Sequence, residues 1–176
     1  MITYRRILDE ELNLGLFGDF IRRQVVVDCL RQVEGKWVVK ADPFIDDWSK
    51  EDYEVLAACL KNTLKTGGFV YGAFLENRLK GFVSVEAELF GGENRYLDLT
   101  SIHVSQDMRR SGIGRELFAA AKGWAREQGA RKLYISAHSA VESQRFYQSM
   151  GCGEAMEYNK KHVEAEPYDC QLECVL

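Results

Sequence analysis

The sequence predicts a mixed α/β (α+β) domain: a central, mostly antiparallel sheet flanked by helices. Three observations lead there. The apolar runs Phe69 to Leu75, Leu79 to Leu89 and Tyr96 to Val104 are joined by short polar and glycine-rich turns, Glu76-Asn77-Arg78 and Gly91-Gly92-Glu93-Asn94. That is the pattern of an antiparallel meander. Arg115 to Gln128 follows, with Ile113, Leu117, Ala121 and Trp124 recurring on one helical face and Gly129 as its stop. Upstream, Leu56, Leu60 and Leu64 make a second helical stripe, closed by Gly67-Gly68.

The remaining elements follow in chain order. Ile2 to Ile7 reads as a first strand. Glu10 to about Val33 is expected to be helical, broken near Gly15 and Gly18, and its run Gln24-Val25-Val26-Val27 fits either a helix or a strand. Lys36 to Trp48 lacks periodicity and is expected to be a loop held on the core by Trp37, Phe44 and Trp48. Ser49 is a good N-cap, and Asp52 three residues on makes a weaker form of the capping box. Leu133 to Ser136 reads as a short buried strand. Gly153 to Lys160 and Asp169 to Val175 read as strands separated by an acidic loop, His162 to Pro167.

Size and charge bound the function. A chain of 176 residues suffices for one domain with a real core. The net charge of −4 argues against broad nucleic-acid binding, which needs a basic surface. It is compatible with a cationic amine substrate. No apolar run approaches the ~20 residues that span a bilayer, so no membrane partner is expected. The first residues lack the apolar core of a signal peptide, and the expected location is the cytoplasm. The 5 cysteines form no Cys-x-x-Cys pair and read as reduced thiols, and no metal is expected.

The chemistry concentrates at Arg109-Arg110-Ser111-Gly112-Ile113-Gly114, between the run ending at Val104 and the amphipathic helix. Glycines there permit a tight turn and leave successive N–H groups unobstructed. A helix N-terminus attracts anions, and arginine suits phosphate oxygens. A dinucleotide loop would need a third glycine where Leu117 stands, and the chain holds no P-loop run. The remaining pattern, Arg-x-x-Gly-x-Gly after a strand, resembles the acyl-CoA pyrophosphate loop of the GNAT (Gcn5-related) N-acetyltransferase family. Ser143-Gln144-Arg145-Phe146-Tyr147-Gln148-Ser149-Met150-Gly151 resembles that family's second motif, at the right order and separation. The resemblance covers about Tyr96 to Gly151.

The resemblance implies one acyl-CoA N-acyltransferase domain over residues 1–176, with a variable acceptor-side region at about 10–66 and a cofactor core at about 96–151. It implies acetyl-CoA as co-substrate. Pantetheine would meet the backbone of Ile102, His103 and Val104. The pyrophosphate would meet Arg109, Arg110, Ser111, Gly112, Ile113, Gly114 and Arg115, and Ser143 and Phe146 would flank the cofactor. Tyr147 would be the acid for the leaving thiolate. For the base, Asp98 comes first, Glu86 second and His103 third. The sequence departs from the family pattern at Ala140, where asparagine is usual, at Ser143 for alanine, and at Gly151-Cys152 for Gly-Phe. Ser139 or Ser143 would stand in for the missing amide.

The expected activity is transfer of an acetyl group to a primary amine of a small molecule or peptide. A non-catalytic acyl-CoA sensor and an O-acyltransferase are the alternatives. The aromatic and acidic stretch Trp37 to Trp48, with Asp42, Asp46 and Asp47, suggests a cationic, partly apolar amine. Exposed strands near the C-terminus are compatible with a homodimer.

Overall fold

The computed structural model describes residues 1–176. Its frame is a 7-stranded sheet in the order β1-β4-β5-β6-β7-β9-β8. The strands are β1 (Ile2–Arg6), β4 (Phe69–Leu75), β5 (Arg78–Val85), β6 (Tyr96–Val104), β7 (Lys132–Ala137), β8 (Gly153–Glu154) and β9 (Cys170–Val175). All neighbours run antiparallel except β6 and β7. A separate hairpin pairs β2 (Arg23–Val33) with β3 (Lys36–Asp47). Helices α1 (Lys50–Lys65), α2 (Ile113–Glu127), α3 (Val141–Ser149) and α4 (Lys160–Ala165) complete the fold.

Strand alternation sorts the sheet's side chains onto two faces. Ala73, Val83, Leu97, Leu99, Leu133 and Ile135 meet Ile113, Leu117, Ala121 and Trp124 of α2 on one face. Val70, Phe74, Leu79 and Phe82 meet Leu56 and Leu60 of α1, with Leu12, Phe17 and Phe20, on the other. Gly81 lets α2 lie close, because a Cβ there would sit 2.6 Å from Ile113 Cγ2. α1 starts as expected: Ser49 Oγ accepts from Asp52 N–H, and the Asp52 carboxylate accepts from Ser49 N–H.

Four expectations fail, each for a local reason. Asp9–Glu11 and Leu14–Phe17 form short 3-10 turns rather than a helix. The β-branched run Val25-Val26-Val27 then belongs to the long strand β2, as residues stiff at χ1 favour. Lys36 to Asp47 is a strand, not a loop. The missed signal is Glu34-Gly35, whose φ values of 49° and 77° close a two-residue hairpin. Past β8 the chain leaves the sheet, and α4 covers part of the expected acidic loop, capped by the Asn159 side chain. All 5 cysteines are free. No helix is long and apolar enough to cross a membrane.

Candidate active site

The sheet opens where β6 and β7 part. They pair only over Tyr96 to Asp98 against Lys132 to Tyr134. Beyond that, Leu99 to Val104 and Ile135, Ser136 and His138 face each other across a cleft of about 840 Å³. A bulge in β6 near Leu99 to Ser101 marks the parting, and there Thr100 and Ser84 join hydroxyls at 2.8 Å.

At one end of the cleft stands the turn into α2. Gly112 is its N-cap, with φ 86°, and Arg110 has φ 61°. These left-handed residues turn the chain so that the N–H groups from Arg110 to Arg115 donate to no protein acceptor. Such a row at the positive end of a 15-residue helix is a ready anion cradle. A Cβ on Gly112 would meet nothing within 4 Å, so its φ is what demands glycine. Gly114 is glycine for another reason: a Cβ there would lie 3.1 Å from Phe146 of α3. The chemistry of this end fits a pyrophosphate.

The structure brings the predicted cofactor residues together. Ile102, His103, Val104, Arg109, Arg110, Gly112, Ile113, Gly114, Arg115, Ser143 and Phe146 all line the cleft. Ser111 does not line it, and its hydroxyl donates to Met108 C=O at 2.5 Å, bracing the turn. Ser143, not Ser139, reaches the cleft, since Ser139 Oγ accepts from Arg31 at 2.6 Å. Tyr147 lines the middle, and burial pushes its hydroxyl well above the ordinary tyrosine value, so the proton stays on.

The predicted bases fare differently. Asp98 does not line the cleft. Its Oδ2 meets His162 Nε2 at 2.5 Å, and its Oδ1 is buried with no partner. Glu86 also lies outside, accepting from Thr63 Oγ1 at 2.6 Å. His103 does line the cleft, but its Nδ1 accepts from Arg22 Nε at 3.2 Å. Burial and the neighbouring Arg22 hold its pKa down to about 3, so the ring stays neutral, and its Nδ1 lone pair is already engaged by Arg22.

The cleft is also lined by residues the sequence reading did not single out: Arg22, Gln24, His138, Glu166 and Asp169. Asp169 is held by a chain of hydrogen bonds. Gln171 Nε2 donates to Ser136 Oγ at 3.1 Å, and that hydroxyl donates to Asp169 Oδ2 at 2.9 Å. Tyr134 Oη in turn donates to Gln171 Oε1. No short motif announces this carboxylate. It reaches the cleft because β9 pairs with β7, which leaves the residue before Cys170 at the open edge of the sheet. Asp42, Asp46 and Asp47 are each paired with an arginine, Arg31, Arg22 and Arg23 respectively, and only Asp46 lines the cleft. Of the acidic residues in that stretch, Asp46 alone therefore faces the cleft.

Known proteins share this fold. The family model for the acetyltransferase (GNAT) family matches residues 37–152. No curated protein sequence matches significantly. Among solved structures, a nourseothricin acetyltransferase is 19% identical with a TM-score of 0.70, over 98% of this chain and 95% of that one. A candidate streptothricin acetyltransferase from Bacillus anthracis, in complex with acetyl coenzyme A, is 18% identical with a TM-score of 0.71, over 100% and 99%. The PaiA N-acetyltransferase from Thermoplasma acidophilum, in complex with coenzyme A, is 13% identical with a TM-score of 0.62, over 100% and 99%. These structures share the fold. With a splayed sheet, an anion cradle at the start of α2 and a family match over most of its length, the chain belongs to the GNAT acetyltransferase family.

Proposed function

We propose that the protein transfers the acetyl group of acetyl-CoA to a primary amine of a small molecule or peptide. The observation that carries this reading is the continuity of the cleft. It runs from unbonded N–H groups at the start of α2, past Tyr147, to a polar wall holding Asp169.

Acetyl-CoA supplies an acetyl thioester, activated toward attack by an amine. The residues divide the rest of the work. Arg110 to Arg115 offer N–H groups and guanidinium charge to the pyrophosphate, and the free β6 edge along Ile102 to Val104 offers backbone to the pantetheine. An alkylamine with pKa near 10.4 is neutral in roughly one molecule per few thousand at pH 7. Asp169 is our candidate to take its proton, directly or through water. Tyr147 keeps its own proton and donates to the leaving sulfur. A thiolate, with pKa near 8.5, is a weaker base than a tyrosinate. Complete proton transfer from Tyr147 is therefore uphill, and the contribution is mainly a hydrogen bond. We place the protein in the cytoplasm and treat residues 1–176 as one functional domain.

The test is thiol release from acetyl-CoA across polyamines, amino acids, aminoglycosides, lysine or N-terminal peptides and simple alcohols, with acetyl-CoA binding measured in the same samples. Acceptor-dependent release supports the enzyme. Release with alcohols alone would make it an O-acyltransferase, and binding without release on any acceptor would make it a sensor.

A further inference from the structure

Arg22 is the least explained charge in the molecule. Only 7% exposed, it lies just before β2 and lines the cleft. Its backbone is fixed from both sides: its N–H donates to Tyr53 Oη at 3.0 Å, and its C=O accepts from Trp48 N–H at 3.0 Å. The neighbouring segment is locked as well. Ile21 N–H donates to Ser105 Oγ, and Ile21 C=O accepts from Gln106 N–H, both at 2.9 Å. The guanidinium lies 5.2 Å from the Trp48 ring centroid. Nη2 donates to Asp46 at 3.1 Å and Nε to His103 Nδ1 at 3.2 Å, while Nη1 is buried with no partner.

Such an arrangement is costly unless something completes it. A buried, unsatisfied donor is costly, the more so when it is charged. Asp46 is the guanidinium's one anionic partner, His103 is neutral, and burial pulls against the arginine's charge. The group that would complete it is a planar oxyanion, which suits a guanidinium fork better than any other ligand. Asp169 and Glu166 line the same cleft and offer opposite charge to an ammonium.

We propose that Arg22 is the acceptor's carboxylate anchor, so that the substrate is an amine that also carries a carboxylate, of the amino-acid class. This names the substrate class of the transfer reading above and rests on it. The recognition is a difference of affinities: an amine lacking the carboxylate leaves the guanidinium with Asp46 as its one anionic partner, and sites of this kind discriminate strongly against the analogue that cannot fill them.

The experiment compares amines matched except for the carboxylate: lysine with cadaverine, phenylalanine with phenethylamine, β-alanine with ethylamine. Their dissociation constants are measured calorimetrically on the wild-type protein saturated with coenzyme A. Thiol release is followed in parallel with acetyl-CoA. In at least one pair the carboxylate-bearing member should bind about 10- to 100-fold more tightly, as charge-assisted hydrogen bonds imply. Arg22→Gln should bring that ratio close to one while acetyl-CoA still binds. Arg22→Lys keeps the charge beside Asp46 but loses the fork, and should give an intermediate ratio. It also serves if the glutamine variant fails to fold.

Equal affinities in every pair would overturn the proposal. So would variants that weaken both members alike, or that weaken acetyl-CoA instead. A persistent preference for carboxylates with no thiol release on any amine would sink the transfer reading and leave the anchor standing. Release without preference would do the reverse.

Discussion

The two ends of the cleft are built from different materials. The phosphate end is made of backbone: a left-handed glycine at the N-cap of α2, N–H groups without protein acceptors, and a glycine that admits Phe146. The acceptor end is made of side chains from distant parts of the chain. Arg22 precedes β2, Trp48 follows β3, His138 follows β7 and Asp169 precedes β9. Backbone chemistry serves any acyl-CoA, because pyrophosphate and pantetheine are constant. Side chains can change one at a time without moving a helix, which suits an end that must recognise a particular acceptor. The two ends should therefore fail independently.

The largest effect is expected at the backbone end. Gly112→Val places a β-branched residue at φ 86°, a conformation that disfavours it, and sets its methyls where the phosphate approaches. Acetyl-CoA affinity should fall by about 10²-fold or more, ~3 kcal/mol, while the circular dichroism spectrum stays native. A folded variant with wild-type affinity would remove this turn from the cofactor site.

Asp169→Asn probes the other end. The amide keeps the hydrogen bond from Ser136 but cannot take a proton. Turnover should drop by about 10²-fold or more, with acetyl-CoA affinity retained. Raising the pH should recover part of the loss, since solution then supplies more neutral amine. Unchanged turnover, or a loss that ignores pH, would return the search for a base to other groups or to water alone.

Tyr147 stands where the two ends meet. Tyr147→Phe should lower kcat by about 10- to 10³-fold and leave acetyl-CoA affinity nearly unchanged. A fall in affinity of the same size would make Tyr147 part of the cofactor wall rather than a donor to the leaving sulfur.

The same contrast explains what was legible in the sequence. The turn at Arg109 to Gly114 and the helix after it are local: the residues that make the cradle are adjacent, so spacing alone exposes them. The meander was legible because its turns are short and its strands neighbour one another. Arg22 and Asp169 carry no such signal. One is buried by a hairpin that closes at Glu34-Gly35 and brings distant residues onto it, and the other is placed by the pairing of β9 with β7. Asp98 is the reverse case. Its offset from the loop points to a base, but strand alternation alone does not reveal that α4 would deliver His162 against it. An offset along a strand fixes a side chain's height in the sheet; it does not fix what arrives from elsewhere to occupy it.

The smallest effect tests that last contact. The Asp98 carboxylate beside His162 raises the imidazole's pKa above its ordinary value, against the opposing effect of burial. The ring also stacks on Tyr134, with centroids 5.8 Å apart, so the contact ties α4 to the sheet. A group whose folded pKa exceeds its unfolded value, here about 6.5, stabilises fully below the unfolded value and loses that contribution as pH rises through the folded one. His162→Gln should therefore lower Tm most below about pH 6.5 and progressively less as pH rises through the folded value. Because α4 lies outside the cofactor cradle, acetyl-CoA affinity should not follow the change in Tm. A Tm deficit that stayed constant with pH would mean that the ring acts through stacking on Tyr134 and that the ion pair with Asp98 adds nothing.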